Sequence, residues 1–381
     1  MNNKILLVMS IPPPYHGANV ANHTLWESRI QEVFNCIILD ISDKRDINNL
    51  GKLDFINVRL ALKSLWDFFH LLRKEKPDLV YTLISQNNLA YFRDGLFILL
   101  AKLFSNAKVV IHLHGSYFDK LYKSANIFMK KFMDVTMKLA DAGIVLGESL
   151  KRILNDWVKE LYVVPNGTDF LSVLNVNDKL KCNKKSDQIT VCYLSNLIKS
   201  KGIIDLIKSA VEVTKSYQNV RIKIAGSWGR DPFYGVSSGE LKQEAMRLVE
   251  SNNLDGYLEF IGIVKGQAKE QFLLESDIFV LPTYYPAEGH PISIIEAMAA
   301  GCPIISTRQG AIPDTVADGE IGYLIEEQNP TMLADRIERL AKDRELRDIM
   351  SILSRKRYEE LYTKECFIEN MIGVFNCVLG K

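Results

Sequence analysis

The chain has 381 residues, is 47% hydrophobic and carries a formal net charge of +1. That length and apolar content suffice for two α/β domains with separate cores, and the balanced charge excludes a disordered acid and a general nucleic-acid binder. The charge is uneven: Met1 to Thr168 holds 21 Lys and Arg against 16 Asp and Glu, and the rest 26 against 30, so the first part points to an anionic partner or surface, or to chance.

Lys4 to Ser10 reads as the first parallel strand, too short and without a cleavage site to be a secretion signal. A loop follows to Gly17, where the backbone turns sharply or passes close to something, and a helix begins near Ala18. Cys36 to Asp40 reads as the second strand. Asn57 to Lys76 shows apolar residues at helical spacing, Pro77-Asp78 ends it, and Leu79 to Ile84 is the next strand. This alternation implies a doubly wound parallel sheet. The apolar run Leu96 to Phe104, interrupted by Lys102, falls short of the ~20 residues a membrane span needs. No G-x-G-x-x-G occurs, which argues against a nicotinamide dehydrogenase.

Lys108 to Leu113 is a buried strand, and ligands of open α/β sheets bind beyond such carboxyl ends, where His114 lies. Taken alone, His114 is read equally well as structural or functional. His112 is expected on the opposite face, as a packed core histidine. Tyr117 to Ala140 interleaves lysines with aromatics and methionines. It reads either as a surface resting on anionic lipid or as an ordinary solvated crossover helix. Gly143 to Leu146 and Leu161 to Val164 are further strands, and Leu174 to Gln188 reads as a polar linker.

Ile189 to Leu194 opens a second set of strands, followed by Ser195-Asn196-Leu197-Ile198-Lys199-Ser200-Lys201-Gly202 and a helix from Ile203 to Val213. Val220 to Ala225, ending at Gly226, and Leu258 to Gly262, with Val264 beyond, are strands, and Leu241 to Asn252 lies between them as a helix. Pro303 to Ser306 and Ile321 to Ile325 are strands; Thr331 to Ala341 and Glu360 to Leu379 read as helices. The cysteines form no C-x-x-C pair and no Cys/His metal spacing, and read as core residues of a reducing compartment.

One stretch carries most of the chemistry: Glu288-Gly289-His290-Pro291-Ile292-Ser293-Ile294-Ile295-Glu296, continuing through Ala297 to Gly301. Asp277 to Pro282 precedes it as a short buried strand. From Pro291 the chain reads as a helix, since proline suits a first helical position and Gly301 a stop. A helix start offers unpaired N–H groups, here near Ile292 and Ser293, and roughly half a positive charge, which is a phosphate site. Glu296, one turn beyond Ile292, can reach ribose hydroxyls, and Glu288 can reach a sugar on the other side of a diphosphate. Gly289 lets the backbone approach closely. Two glutamates at this spacing alone read equally well as solvated surface charges.

In context, Glu-Gly-His-Pro running into Glu-Ala-Met-Ala-Ala-Gly-Cys-Pro resembles the signature of family 4 glycosyltransferases, retaining enzymes of the GT-B fold. The resemblance implies an α/β chain of two Rossmann-like, doubly wound domains facing each other across a cleft. Residues 1–168 would serve the acceptor, 169–360 would bind a nucleotide-sugar, and 361–381 would cross back as a C-terminal helix, with Pro165-Asn166-Gly167-Thr168-Asp169 at the hinge. Gly17 would lie against the donor diphosphate, although the family usually has two glycines there. His114 of the H-x-H-G motif would stand beside the donor sugar. In the family's Gly-Arg-x-x-x-x-Lys-Gly pattern Lys201 matches, whereas Asn196 occupies the arginine position, so one of two expected cations is missing; either Lys199 compensates, or the leaving group is stabilised mainly by Lys201 and the helix start. The loops at Gly226 and Val264 would wrap base and ribose, and Glu288, Gly289, His290, Pro291, Ile292, Ser293 and Glu296 would hold the donor.

The implied reaction is transfer of a hexosyl unit, with His114, Lys201 and Glu288 as the catalytic set. Retention would proceed by same-face displacement, a phosphate oxygen taking the acceptor proton. No metal or other cofactor is expected, because the donor region has no D-x-D arrangement and Lys201 plus the helix dipole can replace a cation. The nucleotide-sugar, taken as UDP-linked, is a co-substrate. The acceptor would be a glycan or a lipid-linked sugar of a surface polysaccharide, at the cytoplasmic face of a membrane that the basic first domain could contact. Other classes stay open: a GT-B epimerase, a glycogen-type phosphorylase, and a non-catalytic nucleotide-binding scaffold.

Overall fold

The computed structural model describes residues 3–13, 17–44, 55–170 and 188–380. The expected linker lies outside the described residues except for Gln188, as do His16 and Cys182. The chain forms two compact units, Met1–Gly167 with Lys364–Lys381, and Thr168–Thr363.

The first unit is a six-stranded parallel sheet of β1 (Lys4–Met9), β2 (Asn35–Asp40), β3 (Leu79–Leu83), β4 (Lys108–Leu113), β5 (Ala142–Val145) and β6 (Glu160–Val163), in the order β2-β1-β3-β4-β5-β6. These segments are near-continuous apolar runs because helices cover both faces of a parallel sheet. A row of three helices, Phe55–Glu75, Asn88–Phe104 and Ile127–Lys138, is joined by its aromatics. Phe68 meets Phe97 at 4.9 Å and Phe92 meets Phe132 at 5.0 Å, while Tyr91 and Thr136 hydroxyls bond at 2.7 Å. Elsewhere in the sheet, Tyr81 and Phe34 pack edge-on against Phe375 of the C-terminal helix Lys364–Val378.

Two helix expectations need correction. Tyr117 to Ala140 is two helices, Phe118–Ser124 and Ile127–Lys138, because Asn126 takes an extended conformation and caps the second by accepting from the Met129 amide. The last helix starts at Lys364, not Glu360: Leu361 ends a preceding helix, Arg344–Leu361, and Thr363 bridges back to Thr168. Asn88–Phe104 and Gln267–Leu274 are helices that periodicity did not separate from apolar or polar surroundings.

The second unit holds β7 (Ile189–Leu194), β8 (Val220–Ala225), β9 (Leu258–Gly262), β10 (Ile278–Leu281), β11 (Ile304–Thr307) and β12 (Gly322–Ile325), all parallel, in the order β12-β11-β10-β7-β8-β9. The chain winds outward from β7 to β8 and β9, then returns to β10 on the other side of β7. The strand order therefore reverses between β7 and β10, and crevices at such reversals bind ligands. Among the described residues no helix is long and apolar enough to cross a membrane.

Candidate functional site

At the reversal, the loops leaving β7 and β10 meet. After β7 the backbone makes one turn of 3-10 helix, Lys199–Lys201, and Gly202 then starts the helix Ile203–Ser216 with φ +78°. A Cβ on Gly202 would stand 2.1 Å from the Pro282 carbonyl oxygen, so this close crossing of the two loops requires glycine. The turn is held from three sides. The Ser200 amide donates to Asp231 Oδ2 at 2.7 Å, the Tyr284 amide donates to the Ser200 carbonyl at 2.7 Å, and the Tyr193 hydroxyl donates to the Lys201 carbonyl at 3.2 Å. Burial pushes the Asp231 carboxyl up, but bonds from Ser200, Phe233 and Tyr234 outweigh it and hold the group below its usual range.

The Lys201 ammonium donates to Glu288 Oε2 at 2.6 Å and lies 4.8 Å from the Tyr285 ring centre. The Thr283 hydroxyl donates to the same carboxylate oxygen at 2.9 Å. Both ends of the pair are sheltered, with side-chain exposures of 14% and 6%. Pro291 is extended (φ −63°, ψ 114°) and caps the helix Ile292–Ala299 rather than opening it. The helix start sits one residue later than expected because the Ile294 amide already reaches the Pro291 carbonyl, at 3.1 Å. Ile292 and Ser293 thus supply the first helical amides.

Glu296, 7% exposed, accepts from Lys269, which the sequence reading did not single out. Burial raises the Glu296 carboxyl and Lys269 opposes the rise. Lys269 sits in the helix Gln267–Leu274 and packs over the Phe170 ring at 5.1 Å. His290 is buried, and burial lowers its imidazole to about 3. Its Nε2 lies 2.9 Å from the Thr315 hydroxyl, which donates its own proton to the Ala311 carbonyl, so Nε2 is assigned as the donor. The side chain therefore braces the Glu288–Pro291 loop against the Ile312–Thr315 helix.

Gly310 completes that brace. It has φ +57°, and a Cβ there would lie 2.3 Å and 2.4 Å from the carbonyl oxygens of Gly289 and Glu288. Gly310→Ala should displace the Glu288 loop and strain the backbone by about 1–3 kcal/mol. The expected result is a Tm lower by about 2–4 °C per kcal/mol, for a unit of this size. A melting point unchanged from wild type in differential scanning calorimetry would refute the brace.

The structure gathers Lys201, Glu288, Gly289, His290, Pro291, Ile292, Ser293 and Glu296 at one reversal. Three other expected donor contacts stand differently. Asn196 is exposed, and Val264 packs partly buried against the core. Gly226 is a glycine because a Cβ would meet the Ser195 carbonyl at 1.8 Å, a constraint from the chain itself. In the first unit, Gly17 is the exposed first residue of the helix Gly17–Trp26, beyond the carboxyl end of β1. The neighbouring turn is tied by Ser10, which bonds Asn19 Oδ1 at 2.5 Å and accepts from Asn22 at 2.8 Å.

His114 follows β4, and its ring stacks on that of His112 with centres 3.9 Å apart. The expectation that His112 points away is therefore wrong: residues two apart on a strand share a face. His112 is fully buried, its Nδ1 is 2.7 Å from the Tyr81 hydroxyl, and burial, then the neighbouring His114, keep it neutral. Among the described residues, no group of three or more His, Cys, Asp or Glu side chains is arranged to hold a metal ion.

Comparison with known proteins agrees with this fold. Residues 47–170 match the family model "Glycosyltransferase Family 4", and residues 177–357 match "Glycosyl transferases group 1". The capsular polysaccharide biosynthesis glycosyltransferase CapM of Staphylococcus aureus is 27% identical over 84% of this chain and 82% of its own. Among solved structures, sucrose-phosphate synthase from Thermosynechococcus elongatus superposes with a TM-score of 0.74 at 19% identity, covering 99% of this chain and 100% of that one. Anabaena HepE, solved in complex with UDP, gives 0.73 at 14% identity, covering 98% and 100%.

Proposed function

We propose that this chain, a glycosyltransferase of the GT-B type, transfers a hexosyl unit from a UDP-linked donor to a glycan or lipid-linked sugar during surface polysaccharide synthesis. One observation carries the donor reading: Lys201 and Glu288, from the two loops flanking the strand reversal, form an ion pair, and the Ile292–Ala299 helix begins shortly after Glu288 in the chain. A diphosphate placed there would face an ammonium and the amides of Ile292 and Ser293, all held before substrate arrives. Fixed donors aimed at developing negative charge are the most effective form of catalysis available to such a leaving group. Glu296, lying on the same helix, would accept from ribose hydroxyls, and Glu288 with the Gly289–His290 backbone would orient the sugar.

The reading extends to mechanism. Transfer would retain anomeric configuration by displacement on the leaving-group face, a phosphate oxygen taking the acceptor proton. Lys201 and the helix start would do the work of a metal ion. The excess of basic residues in the first unit suits an acceptor presented at an anionic membrane face. A UDP-linked donor is supported by HepE, solved in complex with UDP, and a polysaccharide pathway by CapM, a capsular polysaccharide biosynthesis glycosyltransferase.

Calorimetry with UDP, GDP and ADP tests the donor assignment. Selective UDP binding, weakened by Glu296→Ala and by Lys201→Ala, is the expected result. Selective GDP or ADP binding would move the base assignment, and no binding of any of the three would refute the site. Production of an epimer from UDP-hexose without acceptor would replace transfer by epimerisation.

A further inference from the structure

The row of three helices in the first unit turns a broad apolar surface outward. From Phe55–Glu75 it displays Phe55, Leu62 and Trp66, which are 82%, 63% and 65% exposed. Their spacing puts them on one stripe of the helix, with exposed Arg59 and Lys63 on the neighbouring stripe. The central helix adds Leu89 and Phe92, about half exposed, on a single outer stripe. The third, Ile127–Lys138, alternates Phe128, Lys131, Val135 and Lys138 along its exposed side, Phe128 being 81% exposed. A surface this apolar is rare on a free soluble face.

Its charge has one sign. The acids of these helices are turned inward or held. Asp94 is buried against Arg93, Asp134 accepts from Trp157 Nε1 at 2.8 Å and from the Tyr122 hydroxyl at 3.1 Å, and Glu75 pairs with Lys4 at 3.1 Å. Asp67 is partly buried. Apolar rings between cationic side chains on helices lying side by side match the requirements of an anionic bilayer surface. The rings can enter the acyl boundary while Lys and Arg stay at headgroup level. A symmetric pairing with a second copy would instead bring like charges together.

We propose that the outer face of the helices Phe55–Glu75, Asn88–Phe104 and Ile127–Lys138 docks flat on an anionic lipid bilayer. This surface deepens the membrane contact suggested above and rests on no assignment at the donor site. Only its third helix lies in the basic stretch that the sequence pointed to; the larger aromatic contribution comes from the first.

Vesicle co-sedimentation of the full chain tests it, using phosphatidylglycerol/phosphatidylcholine vesicles and pure phosphatidylcholine vesicles. The wild type should sediment with the anionic vesicles, leave them in high salt, and ignore the neutral ones. Leu62→Glu/Trp66→Glu and Lys131→Glu/Lys138→Glu should each partition at least about tenfold more weakly. Their circular dichroism and their UDP binding heat should match wild type. No partition by the wild type, equal partition to neutral vesicles, or partition untouched by both variants would overturn the proposal. So would self-association that Leu62→Glu/Trp66→Glu relieves in a protein that ignores vesicles. Because UDP binding is read separately on the same samples, failure of this surface and failure of the donor site give different results.

Discussion

Lys201→Ala should reduce kcat for transfer from UDP-hexose by ~10²–10³. Among the described residues, the Lys201 ammonium is the side-chain cation that pairs with Glu288, and Asn196 supplies no second charge. The turn that carries Lys201 is fixed through Ser200 and the Lys201 carbonyl, independently of its ammonium, so the backbone should survive the substitution. Stability should nevertheless fall. Among the described residues Glu288 would keep Thr283 as its remaining side-chain donor, and removing one member of a sheltered pair costs about 3–5 kcal/mol. The double variant Lys201→Ala/Glu288→Gln separates the two effects. It removes the stranded charge, so urea melts should recover most of the lost stability while turnover stays low. Turnover within threefold of wild type in Lys201→Ala would remove the lysine from the mechanism.

The parts of this site that were legible in the sequence are those carried by local pattern. The twelve strands among the described residues appear within a residue or two of their expected places; most are apolar runs that parallel burial produces, while β8 alternates apolar residues with Arg221 and Lys223 and β6 and β9 are partly exposed. The helix start at Ile292 was readable from Pro291 and the alanine-rich run, with an error of one residue because extended proline can cap as well as open a helix. Contacts between distant segments left no such trace. Lys269 lies 27 positions from Glu296 in a short helix whose N-cap, Gly266, has φ +51° and gives no capping side chain. Asp231 reaches Ser200 across 31 positions, and Gly310 looks like any turn glycine until the carbonyls of Glu288 and Gly289 are placed above it. His112 was misassigned for a different reason: the period of the strand was applied with the wrong parity.

Lys269→Met should make nucleotide binding depend on pH in a way that wild type does not. Glu296 faces Lys269 from the Gln267–Leu274 helix; Arg355, from Arg344–Leu361, instead donates to the Ala299 carbonyl at the far end of the same helix. The packed strands β10 and β11 bring no ionisable group to it. With Lys269 gone, burial acts on Glu296 unopposed, and its already raised carboxyl rises further. A protonated carboxyl loses an acceptor for the two ribose hydroxyls. Hydrogen bonds to a charged group contribute about 1.5–3 kcal/mol, so UDP affinity should fall roughly 10- to 100-fold at mildly acidic pH and recover as pH rises. Folding stability should run the opposite way. A carboxyl raised in the folded state contributes stability that is fully present below its unfolded value and is lost as pH rises through the folded one. The variant should therefore melt lower, relative to wild type, at the pH where it binds best. Affinity for 2′,3′-dideoxy-UDP, which lacks both hydroxyls, should be the same in both proteins at every pH. A merely structural role for Lys269 would weaken both nucleotides alike, and that result would sever Lys269 from ribose recognition.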